Sequence, residues 1–274
     1  MIDDYLRSFL FVPATRPDRI GKALSSGADA IIVDLEDAVP SSEKGAARAA
    51  LAEYLEQNPA ARILVRVNGS DSCEFELDLA LCKANTNVIG VMLPKAAKSS
   101  DVEHVVKVTQ KRVWPLIETA AGIIALPDLV RSTGIARLSI GALDLASDLG
   151  LLSGTGGAEK MLDYCRCQLV IYSRVGGLAP PIESVVPTID KPDEITRVAV
   201  NANEMGFGGM LSIHPRQLPE IHRAFTPTAA QTHWAKLVLA RAYQFGAVFQ
   251  LEGKMVDAPV IEEAKRILAR ADRT

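Results

Sequence analysis

The sequence predicts an α/β protein built as a (β/α)8 TIM barrel, followed by a short C-terminal helical extension. Three observations point there. Short β-branched apolar runs recur along most of the chain, stretches of helical periodicity separate them, and nearly every run ends in a polar or charged residue. Eight such alternations close a barrel, with the barrel expected over residues 1–225 and the extension over 226–274.

The runs fall, in order, at Ser8–Pro13, Ala30–Leu35, Ile63–Asn68, Val88–Pro94, Val113–Ile117, Arg137–Ala142, Gly177–Ile182 and Gly209–Ile213. The helical stretches between them are Arg19–Ser26, Glu43–Glu56, Glu74–Leu81, Asp101–Val108, Ile123–Arg131, Glu159–Val175, Asp193–Met205 and Pro219–Ala224. A parallel strand covered on both faces is apolar until its C-terminal end, where the loop face begins. The ends here deliver Arg16, the set Asp34, Glu36 and Asp37, then Arg66, Lys95, Glu118, Asp144, Glu183 and His214 to one expected rim. Helix caps alone do not explain so regular a series, and barrel active sites are built on this rim. An open doubly wound sheet is the rival, but Pro13-Ala14-Thr15-Arg16-Pro17 stands where it often carries a glycine-rich turn.

With 48% apolar and 23% charged residues in 274, the chain can support a large core. A net charge of −3 from 30 basic and 33 acidic residues excludes the electrostatic footprint of a nucleic-acid binder. No apolar run reaches the roughly 18 residues of a membrane span, and Met1 to Arg7 carries aspartates where a signal sequence is basic, so a cytoplasmic protein without membrane partners is expected. No histidine adjoins Cys165 and Cys167 to complete a zinc set, and the pair reads as reduced thiols on a helix.

Glu118 and Asp144 end adjacent runs, so their carboxylates are expected to converge. Two carboxylates without His or Cys suit a hard cation, and Mg²⁺ takes one or two of them and fills its octahedron with water and substrate oxygens. Either residue alone also reads as a helix cap. Arg66 lies within an apolar strand and needs an anionic partner, Glu36, Asp37 or a ligand oxygen. It reads either as a structural ion pair or as the cation facing a thioester carbonyl that becomes an enolate. Glu36 and Asp37 are placed behind the metal, and Asp37 also joins the catalytic set. Arg16, with Arg19 and Lys22 beside a helix start, suits a phosphate or carboxylate, although basic helix faces are commonly just solvated. Lys95 is either a Schiff-base lysine or an ion-pair partner.

The segments Phe11-Val12-Pro13-x-x-Arg16-Pro17, Asp34-Leu35-Glu36-Asp37-Ala38-Val39, Val65-Arg66-Val67-Asn68, Leu93-Pro94-Lys95, Ile117-Glu118-Thr119, Gly141-x-x-Asp144-Leu145 with Asp148-Leu149-Gly150, and Ile213-His214-Pro215 resemble the citrate lyase β-subunit-like group. That group belongs to a barrel superfamily of aldolases and acyl-CoA lyases. The resemblance runs from residue 7 to about residue 270. It implies Mg²⁺ on Glu118 and Asp144, Arg66 on the thioester side, and a homotrimer. Gly253-Lys254-Met255-Val256-Asp257-Ala258-Pro259 is similar to the C-terminal lid of malyl-CoA, citramalyl-CoA and β-methylmalyl-CoA lyases. There the match of Asp257 comes from a neighbouring subunit and acts as catalytic acid/base; read without the family, Asp257 is an N-cap ahead of Pro259. Two departures bear on CoA recognition: Pro180-Pro181-Ile182-Glu183 stands where relatives often have Ile-Asp, and Met210 replaces a lysine.

The resulting expectation is retro-Claisen cleavage of a short hydroxy-dicarboxylic CoA thioester. Backbone N–H groups at Gly141 and Ala142 would hold the ketoacid carboxylate, and small Ala142 would leave room for a methyl group. (S)-Citramalyl-CoA giving pyruvate and acetyl-CoA is favoured, ahead of a malyl-CoA lyase or thioesterase, a citrate lyase β subunit acting on a carrier-bound thioester, an aldolase for free pyruvate, or a non-catalytic subunit.

Overall fold

A computed structural model describes residues 5–246 and 248–271. The chain divides into two compact units, one up to Ile221 and one from His222 onward.

The first unit is a closed parallel barrel in which β1 (Ser8–Pro13), β2 (Ala30–Asp34), β3 (Ile63–Arg66), β4 (Val88–Leu93), β5 (Arg112–Ile117), β6 (Ser139–Ile140), β7 (Ile182–Glu183) and β8 (Gly209–Ser212) pair in sequence order. Between and after them run α1 (Ile20–Leu24), α2 (Lys44–Gln57), α3 (Phe75–Ala84), α4 (Ser99–Thr109), α5 (Ala120–Leu129), α6 (Ala142–Asp148), α7 (Gly156–Val175), α8 (Pro192–Met205) and α9 (Leu218–Phe225). The expected barrel is therefore found, with most strands ending a residue or two early.

Strands β6 and β7 are the exceptions, each two residues long. Pro180 and Pro181 have no N–H to give a ladder, so the run expected from Gly177 narrows to its end. Their carbonyls instead accept from the fully buried Arg137, Nε to Pro180 O at 2.7 Å and Nη2 to Pro181 O at 3.4 Å.

Side chains alternate across each strand, and one set packs as a single cluster: Phe9, Ile32, Leu64, Met92, Trp114, Leu116, Ile182 and Leu211 among others. Gly90 makes room for it, since a Cβ there would lie 2.0 Å from the Trp114 ring. Two residues further along the same faces come Asp34 after Ile32, Arg66 after Leu64, Glu118 after Leu116 and Ser184 after Ile182. The apolar filling thus gives way to polar groups toward the C-terminal ends.

The second unit holds α10 (Ala229–Phe245), an antiparallel hairpin of β9 (Phe249–Leu251) and β10 (Lys254–Val256), and α11 (Ala258–Ala271). Its small core gathers Ala235, Val238, Val256 and Ala264. Asp257 is half-buried directly before α11, and its carbonyl accepts from Ile261 N at 3.0 Å. Cys165 and Cys167 lie on α7 as free thiols, one buried and one exposed. Among the described residues no helix is long and apolar enough to cross a membrane.

Candidate active site at the C-terminal mouth

Register places Asp34 at the end of β2 directly beside Arg66 at the end of β3. The guanidinium binds that carboxylate through two bonds, Nε to Oδ1 at 2.7 Å and Nη2 to Oδ2 at 2.6 Å. A fork on a carboxylate is the strong arginine geometry, and Asp34 is the partner that sequence reasoning missed. Period-two alternation signalled it, because Asp34 and Arg66 each follow an inward apolar residue by two. Asp34 also accepts from the backbone N–H of Glu36 at 2.9 Å and of Ala38 at 3.0 Å, shaping the acidic turn. The expected partners are present as well. Arg66 Nη1 donates to Asp37 at 3.2 Å and lies 3.2 Å from Glu36 Oε2, while the guanidinium covers the Phe11 ring at 4.9 Å.

The turn is anchored from below. Buried Lys44 of α2 donates to the carbonyls of Leu35 at 2.8 Å and Glu36 at 2.7 Å, and Asn68 Nδ2 donates to Leu35 O at 3.0 Å. Glu36 is buried and Asp37 exposed. Lys95 Nζ pairs with Glu36 Oε1 at 2.5 Å, so Lys95 is an ion-pair residue here.

Glu118 is 1% exposed. Its Oε1 accepts from Lys95 N at 2.8 Å, whereas its Oε2 is buried without a hydrogen-bond partner. Burial is the first cause pushing its carboxyl up to about 7, followed by the charge of Glu36; Asp144 adds to the rise. Asp144 lies exposed in the first turn of α6, near enough for that influence. Neither carboxylate is spent on a helix cap: Thr119 caps α5 by accepting from Gly122 N, and Asp148 accepts from Ala120 N at 2.7 Å. Gly141 stands against Glu118, where a Cβ would lie 2.6 Å from Oε2.

A divalent cation fits this arrangement. A buried carboxylate oxygen without a partner is costly, and a hard cation shared with Asp144 would satisfy it. Among the described residues no group of three or more His, Cys, Asp and Glu is arranged to hold an ion, so remaining positions would fall to water or substrate oxygens.

Other expectations need correction. The Gly141 and Ala142 amides are not free to bind a carboxylate: Gly141 N donates to Ile117 O at 2.9 Å in the barrel ladder, and Ala142 N to Ser184 Oγ at 3.0 Å. Gly141 contributes through its missing side chain instead. Glu183 does not join the rim. It follows inward Ile182, faces the opposite side, and binds buried Arg166 of α7, Nε to Oε2 at 2.8 Å. Arg16 is exposed and forks onto Asp18 at 2.8 Å; Arg19 and Lys22 are exposed. His214 needs no correction as a capping residue before Pro215: it caps a short 3-10 turn, its Nδ1 accepting from Arg216 N at 3.2 Å.

Fold and site together define a (β/α)8 barrel whose C-terminal mouth joins a carboxylate pair to a carboxylate-held arginine. Residues 7–215 match the model of the HpcH/HpaI aldolase/citrate lyase family, and the chain belongs to that family. It is 33% identical to a citrate lyase subunit beta-like protein of Deinococcus radiodurans, covering 96% of both chains. It is 31% identical to a (3S)-malyl-CoA thioesterase of Cereibacter sphaeroides, over 97% of this chain and 94% of the other. The CitE protein of Mycobacterium tuberculosis, solved with magnesium, acetoacetate and coenzyme A, superposes with a TM-score of 0.85 at 30% identity, covering 98% of this chain and 99% of that one.

Proposed function

We propose that the protein is a Mg²⁺-dependent acyl-CoA lyase that cleaves a short 3-hydroxy-dicarboxylic CoA thioester by retro-Claisen chemistry, with (S)-citramalyl-CoA as substrate and pyruvate and acetyl-CoA as products. The observation that carries this reading is the partnerless buried Oε2 of Glu118, whose carboxyl feels the charges of both Asp144 and Arg66. The magnesium and coenzyme A bound by the Mycobacterium tuberculosis protein support it.

Glu118 and Asp144 would hold Mg²⁺, which when bound orients the substrate hydroxyl and carboxylate and draws charge from them. Asp37, exposed at the mouth, takes the hydroxyl proton. The C–C bond then breaks, its electron pair passing to the thioester carbonyl to give the acetyl-CoA enolate. Of the five N–H donors of a guanidinium, Asp34 takes two and Asp37 one, and Nη1 also stands 3.2 Å from Glu36 Oε2, leaving the second N–H of Nη2 for the enolate oxygen. Fixed by Asp34, that cation meets the developing charge without reorganising. Asp257 of the partner subunit, in a homotrimer with the C-terminal segment as lid, returns a proton to the enolate carbon. Ala142 leaves room for the substrate methyl group, and Arg16 meets the CoA phosphates after releasing Asp18.

The thioesterase relatives support a second reading of the same site, hydrolysis of malyl-CoA. Purified protein incubated with Mg²⁺ and malyl-, citramalyl- or citryl-CoA separates the two: the lyase yields acetyl-CoA, the thioesterase free CoA. Asp144→Ala is the control, and activity that survives it removes the assigned metal role.

A further inference from the structure

We propose that Lys95 sets the ligand number of the cation site, sequestering Glu36 while presenting Glu118, so that two protein carboxylates hold the ion instead of three. This inference rests on the cation site proposed above.

Lys95 follows β4 with φ of +50°, a left-handed conformation that is unfavourable for a residue with a Cβ. Among the described residues the other non-glycine positions with positive φ are Gln110, which ends α4, and Glu252, in the β9–β10 turn. Lys95 does neither, and what its conformation achieves is aim. Its N–H donates to Glu118 Oε1 at 2.8 Å, leaving Oε2 as the open atom. The same residue sends Nζ to Glu36 Oε1 at 2.5 Å, while Arg66 Nη1 stands 3.2 Å from Glu36 Oε2. Oε1 of Glu36 is thus held by the ammonium, whereas its buried Oε2, 3.2 Å from Arg66 Nη1, makes no hydrogen bond; the charge of Glu36 adds to the rise at Glu118.

A third carboxylate would bind a hard divalent ion more tightly, but it would displace a water ligand and neutralise more of the charge with which the ion polarises a chelating hydroxy acid. Keeping Glu36 on Lys95 leaves the ion weakly held and open. Removing the ammonium should release Glu36 toward the ion.

The test is Mg²⁺ titration of the full-length protein by calorimetry, with the Mg²⁺-induced Tm shift as a second readout. Lys95→Met should tighten Mg²⁺ binding by about tenfold and lower turnover. In a Glu36→Gln background the same substitution should change Kd by less than about twofold, because no third carboxylate remains to be released. Weaker or unchanged binding in Lys95→Met, or equal tightening in both backgrounds, overturns the proposal. Should Lys95→Met not fold, Lys95→Gly accommodates the left-handed backbone and is read by the same criteria. Glu36→Gln alone should keep Mg²⁺ affinity within about twofold of wild type, and a larger loss means Glu36 already ligates the ion. A wild-type protein that binds no Mg²⁺ defeats the underlying site as well, which distinguishes that failure from failure of the Lys95 role.

Discussion

Gly141 and Glu118 occupy one another's space: a methyl group at position 141 would sit 2.6 Å from both Cβ and Oε2 of the glutamate. Because Cβ is fixed to the backbone, rotation of the carboxylate cannot relieve the contact. Gly141→Ala should therefore cost about 1–3 kcal/mol of stability and abolish the Tm increase on adding Mg²⁺. A variant that folds and still shows the wild-type Mg²⁺ shift would contradict this placement of the free oxygen.

Glu118 also predicts a pH dependence. Without a cation, burial and the neighbouring carboxylates hold its carboxyl up to about 7, above its ordinary 4.5. The folded state thus keeps a proton that the unfolded chain releases earlier, and the sign follows by linkage. Its contribution is fully present below the unfolded value and lost as pH rises through about 7. In EDTA, Tm should fall across that window, and Mg²⁺ should restore it at pH 8, with proton release on binding at pH 6. Glu118→Gln should flatten both effects and raise the Tm of the metal-free protein at pH 8; a profile matching wild type would refute the assignment.

Arg66 depends on Asp34 for its place. Asp34→Asn removes one side of a buried bidentate pair, which is expected to cost about 3–5 kcal/mol. Arg66→Lys keeps the charge but cannot form the fork, and kcat should drop by about 10²–10³-fold with little change in Mg²⁺ affinity. Steady-state kinetics beside a Mg²⁺ titration decides it, and near-normal kcat would remove Arg66 from the chemistry.

The Arg166–Glu183 pair should behave in the opposite way. It lies on the outward side of β7 beneath α7, so Arg166→Met, which leaves Glu183 buried without its cation, should destabilise by about 3–5 kcal/mol. At a temperature where the variant stays folded, kcat and KM should match wild type. Loss of turnover without loss of stability would place Glu183 back in the site.

Much of the barrel was legible in the amino-acid order because its signals are local. Apolar runs of strand length, helical periodicity between them and a polar residue closing each run are set by neighbours a few positions apart, and they located Arg66, Lys95 and Glu118 at or just past strand ends, while Asp144, expected to close β6, falls in the first turn of α6. Long-range contacts decided the rest. Whether Glu183 looks into the mouth or out toward Arg166 depends on which side of β7 it occupies. Whether the Gly141 and Ala142 amides are available depends on Ile117 at the end of β5 and Ser184 just past β7. Alternation marks Asp34 as inward, but what sets it directly beside Arg66 rather than another acid of the turn is the register of β2 on β3. Composition and periodicity determine that a strand forms and where it ends, whereas the direction of a charge and the partner that neutralises it are set by closure of the sheet, because a buried ion takes the nearest counter-charge that the fold supplies.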